Sequence, residues 1–327
     1  NGWQSRQRKA EMTILALDFG GTKHTAGIVE SGATQWSARE QVFSPPNADA
    51  RYDLDTVLEL GRRLLGEAQP VAVGVSFGGP VDAATNTVRL SHHVPGWENL
   101  PLSKILEDEF HAPVQIDNDA NAAALGEYRY GAGQGFVNLF YITISTGVGG
   151  GWILNGHAWR GTDSMAGEIG HTVVDPRGPE CLCGKRGCVE RLASGRYMAQ
   201  DARQRLYENV LQESSLRELC NGNLESIDGA MISQAAALGD KLSIELLERS
   251  ARGLGVGIGN AANLVNPQRF ILGGGVTKSG ERWWQVVRET ARQTALPEVQ
   301  FEIIPAALGD DAPLWGAVAL AADCVHT

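Results

Sequence analysis

The chain has 327 residues, of which 43% are hydrophobic and 20% are charged, and its formal net charge is -10 at pH 7. This composition predicts a well-packed soluble globule rather than a disordered chain. The acidic balance argues against a nucleic-acid partner, because binding to a phosphate backbone requires clustered Lys and Arg side chains. It leaves room for a nucleotide held by backbone N–H groups and a metal ion.

The chain shows no apolar run of the length needed to span a membrane and no secretory signal. We therefore expect a cytoplasmic protein that has no membrane partner and keeps its thiols reduced. Residues 1–11 are polar, and Met12 directly precedes the first strand-like run. The expectation for residues 1–11 is a leader or a cloning remnant.

Strands and helices alternate along the chain, which predicts an α/β fold. A strand, a glycine-rich turn and a second strand follow one another twice, once near the start of each half of the chain. This repetition indicates a duplicated architecture. We place a small lobe at residues 12–130, with the C-terminal helix 311–327 packing back on it, and a large lobe at 131–310. The predicted helices cover 54–65, 101–110, 119–128, 193–219, 240–264 apart from its glycines, and 314–322, and the predicted strands cover 13–17, 25–29, 71–75, 113–116, 139–145, 152–154, 270–272 and 301–304.

Three strand ends are rich in glycine, at 20–21, 147–151 and 273–275. Neither the dinucleotide-binding pattern G-x-G-x-x-G nor the P-loop pattern G-x-x-x-x-G-K-[ST] occurs. Turns of this kind can present N–H groups to a polyphosphate without a P-loop. Asp18, at the first of these ends, is placed to hold a hydrated Mg²⁺, and its alternative role is an Asx turn that caps the hairpin. Lys23 either meets phosphate or is a solvated charge.

The segment DNDAN, residues 117–121, lies where a predicted strand meets a predicted helix. A single carboxylate there would ordinarily cap the helix. The density of polar residues in D-N-D-x-N exceeds what one cap needs.

His171, Cys181, Cys183 and Cys188 crowd three of the five cysteines into eight positions. A Cys-x-Cys pair in a reducing compartment is a poor disulfide. One imidazole and three thiolates form a closed tetrahedral set for a structural Zn²⁺. The alternative is a cluster of reduced cysteines that binds no metal, and a DNA-binding zinc finger is disfavoured because no basic helix follows.

Together, LDFGGTK, IDNDANAAALGE, GEIGHTVV, CLCGKRGCVE and ILGGGV resemble the ROK family of bacterial sugar kinases and sugar-responsive repressors. The resemblance extends from Met12 to the C-terminal DDAPLWGAVALAA. It implies the two-lobed, actin-like ATPase fold, which is ribonuclease H-like. It also implies an ATP-dependent hexose kinase with Mg²⁺ and a structural Zn²⁺, and a homodimer.

By this resemblance Asp119 is the catalytic base. The implied sugar ligands are Gly79, Asn99, Asn118, Asp119, Glu168, His171 and Glu190. For Glu190, and less so for Glu168, the alternative is a surface carboxylate on a solvated loop. The implied nucleotide ligands are Asp18, Gly20, Gly21, Thr22, Lys23, Thr146, Gly147, Gly273 and Gly274.

Glucose, phosphorylated at its 6-hydroxyl, is the first expectation for the substrate. Kinases of the family that act on N-acetylmannosamine carry Arg where this chain has Pro80, which argues against an N-acetylhexosamine; fructose is a further alternative. The rival functions are a transcriptional regulator, disfavoured by the few residues before Met12, and a sugar sensor without catalysis. His92 and His93 are expected in a surface loop, and Trp283, Trp284, Val286 and Val287 belong either to the core or to an interface.

Overall fold

The computed structural model describes residues 13–91 and 94–325, so the predictions for residues 1–12 and for His92 and His93 lie outside the described residues. The chain divides into two compact units. The first contains the described residues up to Val137, the segment Gly151–Ala166, and the chain from Ala307 onward; the second contains Asn138–Gly150 and Gly167–Ala306.

The first unit is built on a five-stranded sheet with the order β3-β2-β1-β4-β7. Strands β1 and β2 form the predicted antiparallel hairpin, while β1, β4 and β7 run parallel. The carboxyl ends of these parallel strands therefore lie at one edge of the sheet, where ligands bind in open α/β sheets. The strands are β1 (Thr13–Phe19), β2 (Lys23–Glu30), β3 (Ala38–Phe43), β4 (Ala72–Phe77), β5 (Val81–Asp82), β6 (Thr87–Val88) and β7 (Val114–Asn118).

Helices cover both faces of this sheet. They are α1 (Ala50–Leu65), α2 (Leu102–Phe110), α3 (Asp119–Tyr130) and the C-terminal α10 (Ala312–Val325). Helix α10 packs on β4 at backbone distance, since a Cβ at Gly74 would lie 1.7 Å from the Ala317 carbonyl oxygen. It approaches α3 equally closely, since a Cβ at Gly316 would lie 1.8 Å from the Ala122 carbonyl oxygen. The C-terminal helix thus belongs to the first unit.

The second sheet has the order β10-β9-β8-β11-β12, which repeats the strand order of the first. This repetition confirms the predicted duplication of the sheet. Its strands are β8 (Leu139–Ile144), β9 (Val148–Leu154), β10 (His157–Trp159), β11 (Arg269–Gly273) and β12 (Glu302–Pro305). The helices of the second unit are α4 (Val189–Ala193), α5 (Gly195–Glu208), α6 (Leu216–Leu219), α7 (Gly229–Ala237), α8 (Lys241–Val265) and α9 (Glu281–Thr294).

Two helix predictions in the second unit are wrong in detail. The helix predicted over 193–219 is broken at Ser194, which is extended and whose side chain caps α5 by accepting the Tyr197 N–H, and again after Glu208. Helix α8, in contrast, continues through its glycines. A Cβ at Gly255 would lie 2.9 Å from the Val287 carbonyl oxygen of α9, so glycine allows these two helices to pack closely.

Several elements escaped sequence-based prediction: β3, the short β5, β6 and β10, and helices α7 and α9. Helix α9 carries the tryptophans whose role was left open. The side chains of Trp283, Trp284, Val286 and Val287 are all buried within the chain, so they belong to the core. In the described part of the chain, no helix combines the length and the apolar character needed to cross a membrane.

Candidate active site

The hairpin between β1 and β2 carries the first group of predicted nucleotide ligands. Its turn closes through a hydrogen bond from the Gly20 N–H to the Lys23 carbonyl oxygen, 3.1 Å long. A Cβ at Gly20 would lie 2.7 Å from the same oxygen, so this tight turn requires glycine there. Gly21 and Thr22 are exposed and Lys23 is half-buried, which leaves the tip of the hairpin accessible to a ligand.

Asp18 is buried at the end of β1 and accepts a hydrogen bond of 2.7 Å from the Ser76 hydroxyl on β4. This contact with the neighbouring strand replaces the alternative Asx turn. Burial raises the pKa of Asp18, while the Ser76 hydroxyl and the charge of Lys23 oppose the shift. A buried carboxylate whose charge is costly is a good partner for a cation.

The DNDAN segment begins helix α3, and Asn118 is its cap. The Asn118 side-chain oxygen accepts the N–H groups of Ala120 and Asn121. Its amide nitrogen donates to the Gly79 carbonyl oxygen at 3.1 Å and to Asp119 Oδ1 at 2.9 Å. Asn118 therefore fixes the orientation of the Asp119 carboxylate, and its predicted contact with sugar stays a prediction.

Asp117 supports this segment from inside the protein. Its Oδ2 accepts a hydrogen bond of 2.7 Å from Arg160 Nε. Its Oδ1 accepts the Asn118 N–H and the Asn121 side-chain amide. Burial raises the pKa of Asp117, and the charge of Arg160 opposes that shift. Sequence analysis missed Arg160, because it lies 43 positions from its partner.

Gly79 and Asn99 lie in the loops that follow β4 and β6. A Cβ at Gly79 would lie 2.6 Å from the Leu90 carbonyl oxygen, so glycine is needed for the close approach of these loops. Asn99 is exposed and adopts a left-handed conformation with φ of 55°. It lines a pocket of about 500 Å³ together with Asp82, Thr85, Thr87, Arg89, Leu90 and Glu98.

The structure brings His171 and the three cysteines together, although the histidine lies ten positions before the first cysteine. The potential ligand atoms of the four residues all lie within 4.8 Å of one another. Nδ1 of His171 is buried and has no hydrogen-bond partner among the residues that the structure describes. One nitrogen and three sulfurs at this spacing fit a tetrahedral Zn²⁺.

The thiols themselves favour a cation. Sγ of Cys183 lies 3.6 Å from Sγ of Cys188. Burial and the neighbouring sulfurs raise the pKa of Cys188 to about 12. Burial acts in the same direction on Cys183, but hydrogen bonds from the Lys185 N–H and the other two thiols lower its pKa to about 7. Ionising all three sulfurs at this spacing requires a positive charge between them.

Two side chains form a scaffold around the loop that carries the cysteines. Arg191 of α4 makes a bidentate ion pair with Asp201 of α5, at 2.7 and 3.0 Å, and donates to the Glu180 carbonyl oxygen. The Tyr197 hydroxyl accepts the Leu182 N–H at 2.9 Å and lies 4.0 Å from Sγ of Cys181. Sequence analysis missed this support for the loop.

The predicted sugar ligand Glu190 lies on α4, two residues after Cys188. One of its oxygens, Oε2, accepts the Val148 N–H at 2.9 Å, at the start of β9. Glu190 is half-buried on a helix rather than on a solvated loop, and its predicted contact with sugar stays a prediction. Glu168 is exposed, just before the short helical turn Ile169–His171. Thr146 and Gly147, the predicted phosphate ligands, form the tip between β8 and β9.

A pocket of about 330 Å³ lies beside this tip in the second unit. Both Ser145 and Thr146 line it, while Gly273 and Gly274 end the adjacent strand β11. A Cβ at Gly274 would lie 2.4 Å from the Ile144 carbonyl oxygen, so glycine lets β11 turn away beside β8. Sequence analysis missed the remaining lining residues, which are Gly195, Arg196, Ala199, Arg203, Ile227, Asp228, Gly229, Ala230, Gly275 and Val276.

A model of the ROK family matches residues 14–324. The chain belongs to the ROK family. A glucokinase from Halalkalibacterium halodurans is 38% identical over 310 residues, which cover 92% of each protein. An N-acetylmannosamine kinase from Shigella flexneri is 33% identical over 310 residues, which cover 95% of this chain and 98% of that protein. The crystal structure of a ROK family glucokinase from Streptomyces griseus, in complex with glucose and AMPPNP, superposes with a TM-score of 0.81. It is 35% identical and covers 95% of this chain and 99% of that chain.

Membership of the ROK family accounts for the two sheets of equal strand order. The predicted α/β class and the actin-like ATPase fold are confirmed by the likeness to ROK glucokinase structures. The residues that line the pocket of the second unit carried a weak sequence signal. Glycine follows a capping Ser194 or Asp228 at the start of α5 and α7, and the two glycines allow these helix starts to meet, since a Cβ at Gly229 would lie 3.2 Å from the Cα of Gly195.

Proposed function

We propose that this protein is an ATP-dependent kinase that phosphorylates the 6-hydroxyl of glucose. The observation that carries the proposal is the Asp119 carboxylate at the start of α3. Its Oδ1 accepts hydrogen bonds from the Asn118 side chain and from the Ala120 N–H, both 2.9 Å long. These bonds hold one oxygen in place and stabilise the ionised form that a general base needs. The similarity to glucokinases over more than nine-tenths of the chain supports the same reaction.

In the proposed reaction the 6-hydroxyl of the sugar gives its proton to Asp119 while its oxygen attacks the γ-phosphorus of ATP. The bond from this phosphorus to the β-γ bridging oxygen breaks, and ADP leaves. Little covalent chemistry is required of the protein, so most of the rate enhancement comes from positioning and charge neutralisation. Mg²⁺ carried by ATP neutralises phosphate charge, and we propose that Asp18 faces its hydration shell.

For the nucleotide, we propose that the base and ribose occupy the 330 Å³ pocket of the second unit. Gly273 and Gly274, at the end of β11, are proposed to let the adenosine lie close to the backbone. Thr146 and Gly147 are proposed to contact phosphate from the tip between β8 and β9. The tip of the β1–β2 hairpin, from Gly20 to Lys23, is proposed to contact phosphate in the first unit through its N–H groups.

For the sugar, we propose hydroxyl contacts from Glu168, His171 and Glu190 in the second unit. Gly79, Asn99 and Asn118, with Asp119, are the proposed contacts of the first unit. Zn²⁺ on His171 and the three cysteines would be structural, because all four of its positions are taken by protein ligands. It would hold the loop between His171 and Glu190 in one conformation, and so hold one wall of the sugar site.

The test is an ADP-release assay with Mg-ATP and a panel of glucose, mannose, fructose, allose, N-acetylglucosamine and N-acetylmannosamine. We expect glucose to give the highest kcat/KM. Asp119→Asn should lower kcat by about 10²–10⁴-fold, the range typical of a general base, with little change in nucleotide affinity. Asp108→Asn, an exposed carboxylate on α2 paired with Lys104, is the matched control and should keep full activity.

Each outcome of this assay has a meaning. Fastest turnover on N-acetylmannosamine would move the substrate to the class of the Shigella relative. Sugar-dependent stabilisation with no turnover on any sugar would replace the kinase with a sensor or a sugar-responsive regulator. We also propose a cytoplasmic homodimer, on the family resemblance alone, and light scattering on the purified protein tests the dimer.

A further inference from the structure

The carboxylate of Glu190 lies against the tip between β8 and β9. Its Oε2 accepts the Val148 N–H at 2.9 Å. A Cβ added to Gly147 would lie 2.8 Å from the same oxygen, so the carboxylate packs directly on the Gly147 backbone. The other oxygen, Oε1, makes no hydrogen bond with any residue that the structure describes. One side chain thus has one oxygen on the proposed phosphate-binding tip and one oxygen available to a ligand.

Glu190 cannot adjust its position freely, because helix α4 is anchored at both ends. At its start the Val189 N–H donates to the Thr172 carbonyl oxygen, and at its end the Ser250 hydroxyl of α8 donates to the Ala193 carbonyl oxygen at 3.0 Å. The adjacent Arg191 is tied to Asp201 by its bidentate ion pair. A displacement of the carboxylate therefore moves its hydrogen-bond partner, the Val148 N–H on the tip, because helix α4 is held in place.

The tip depends on such partners for its conformation. Within the tip, the Ser145 N–H bonds to the Gly147 carbonyl oxygen, and the Ser145 carbonyl oxygen accepts the Gly195 N–H from the start of α5. On its other flank, a Cβ at Gly170 would lie 2.1 Å from the Val148 carbonyl oxygen. Gly170 stands between Glu168 and His171, so two segments that carry proposed sugar ligands converge on Val148.

We propose that Glu190 couples the sugar site to the nucleotide site: a sugar hydroxyl bound to Oε1 fixes the carboxylate, and Oε2 then orders the 146–148 backbone for the phosphates. The inference rests on the proposed function. A hydrogen bond from a backbone N–H to a carboxylate is stronger than one between neutral groups. A tip already ordered by sugar loses less conformational entropy when the nucleotide binds. Because binding linkage is reciprocal, nucleotide must raise sugar affinity by the same factor.

The experiment measures this coupling factor by calorimetry on the whole protein with its zinc. The dissociation constant of Mg-AMPPNP is measured without glucose and with saturating glucose, and their ratio is the coupling factor. We expect glucose to tighten Mg-AMPPNP binding by about tenfold in the unmodified protein. The converse titration, of glucose with and without Mg-AMPPNP, must return the same factor.

Gly147→Ala is the decisive variant. Its methyl group meets only the far end of the Glu190 side chain, so the carboxylate is pushed off the Val148 N–H at little cost to the fold. We expect the coupling factor to fall below about twofold. Thr146→Ala is the matched control: it removes a proposed phosphate contact one residue away and should weaken Mg-AMPPNP binding with and without glucose alike, which leaves the factor unchanged. Glu190→Gln, which keeps an acceptor oxygen but loses the charge, should give an intermediate factor.

The outcomes separate this inference from the function on which it rests. If the unmodified protein binds or phosphorylates no sugar, the proposed function fails. If it phosphorylates glucose but shows no coupling, or if Gly147→Ala and Glu190→Gln keep the full factor, the kinase stands and the role of Glu190 as the link is overturned. Loss of coupling in Gly147→Ala with the factor retained in Thr146→Ala supports the inference.

Discussion

The ion pair between Arg160 and Asp117 offers a quantitative test of how the catalytic segment is held in place. Nε of Arg160 lies 2.7 Å from Oδ2 of Asp117, whose side chain is 3% exposed, while that of Arg160 is 26% exposed. Breaking a buried pair by removing one partner costs about 3–5 kcal/mol. Because Arg160 is partly solvated and Asp117 keeps two other hydrogen bonds, we expect Arg160→Met to lower the free energy of unfolding by about 2–3 kcal/mol near neutral pH.

The pH dependence of this loss has a defined sign. Burial raises the pKa of Asp117 in the folded protein, and the charge of Arg160 opposes the rise. Arg160→Met therefore raises this pKa further. A carboxyl with a raised folded pKa binds more protons in the folded state, so its contribution to stability falls as pH rises from its unfolded pKa through its folded pKa. The loss caused by Arg160→Met should thus be smaller near pH 4 than near neutral pH, because the raised pKa lets Asp117 take up a proton and lose its unpaired charge as the pH falls.

The assay is urea denaturation of four proteins at the two pH values: the unmodified chain, Arg160→Met, Asp117→Asn and the double variant. Asp117→Asn removes the buried charge, so Arg160→Met should cost less in that background than in the unmodified chain. A loss from Arg160→Met that is equal in both backgrounds, or larger near pH 4, would refute the reasoning. If Arg160→Met lowers kcat and the double variant does not restore it, the positive charge of Arg160 itself contributes to the activity of the Asp119 segment.

Two further predictions concern the second unit. Tyr197→Phe removes the hydroxyl that accepts the Leu182 N–H beside Cys181, and it should lower the affinity for Zn²⁺ by about tenfold. Competition with a chromophoric chelator measures this affinity. The control is Tyr207→Phe on the same helix, whose hydroxyl bonds to an exposed Glu225; it should leave the Zn²⁺ affinity unchanged. Gly275→Leu projects into open space in the proposed adenosine pocket and should weaken Mg-AMPPNP binding without a change in melting temperature; unchanged nucleotide affinity would place the adenosine elsewhere.

Local sequence signals predicted the elements whose stability is itself local. The β1–β2 hairpin follows from two apolar runs around FGGTK, and helix α3 follows from its alanine-rich run after a capping Asn118. His171 and the three cysteines do lie together, while the Zn²⁺ that they are predicted to bind stays a prediction. The hairpin and the helix could be predicted because a tight turn and a helix cap each need particular residue types at short spacing.

Elements that depend on distant partners were missed. The edge strand β3 has a mixed polar pattern and is defined by its pairing with β2. Helix α8 should be weakened by its glycines, yet it runs unbroken because those glycines allow contact with α9. Helix propensity describes a segment in isolation. Tertiary packing overrides it where the close contact between two helices stabilises the fold by more than the glycines destabilise the helix.

The sequence by itself indicated the α/β class from the alternation of strand-like and helix-like segments, and it indicated the two hairpins, the helix start at Asp119 and the cluster of His171 with three cysteines from residue types at short spacing. Only the tertiary structure decided which side chains hold these parts. It placed Arg160 on Asp117, Tyr197 beside Cys181 and the Glu190 carboxylate on the Val148 N–H. The two residues of each pair lie far apart in the sequence, and they come into contact only when the sheets and helices pack. A local sequence pattern therefore cannot predict these contacts.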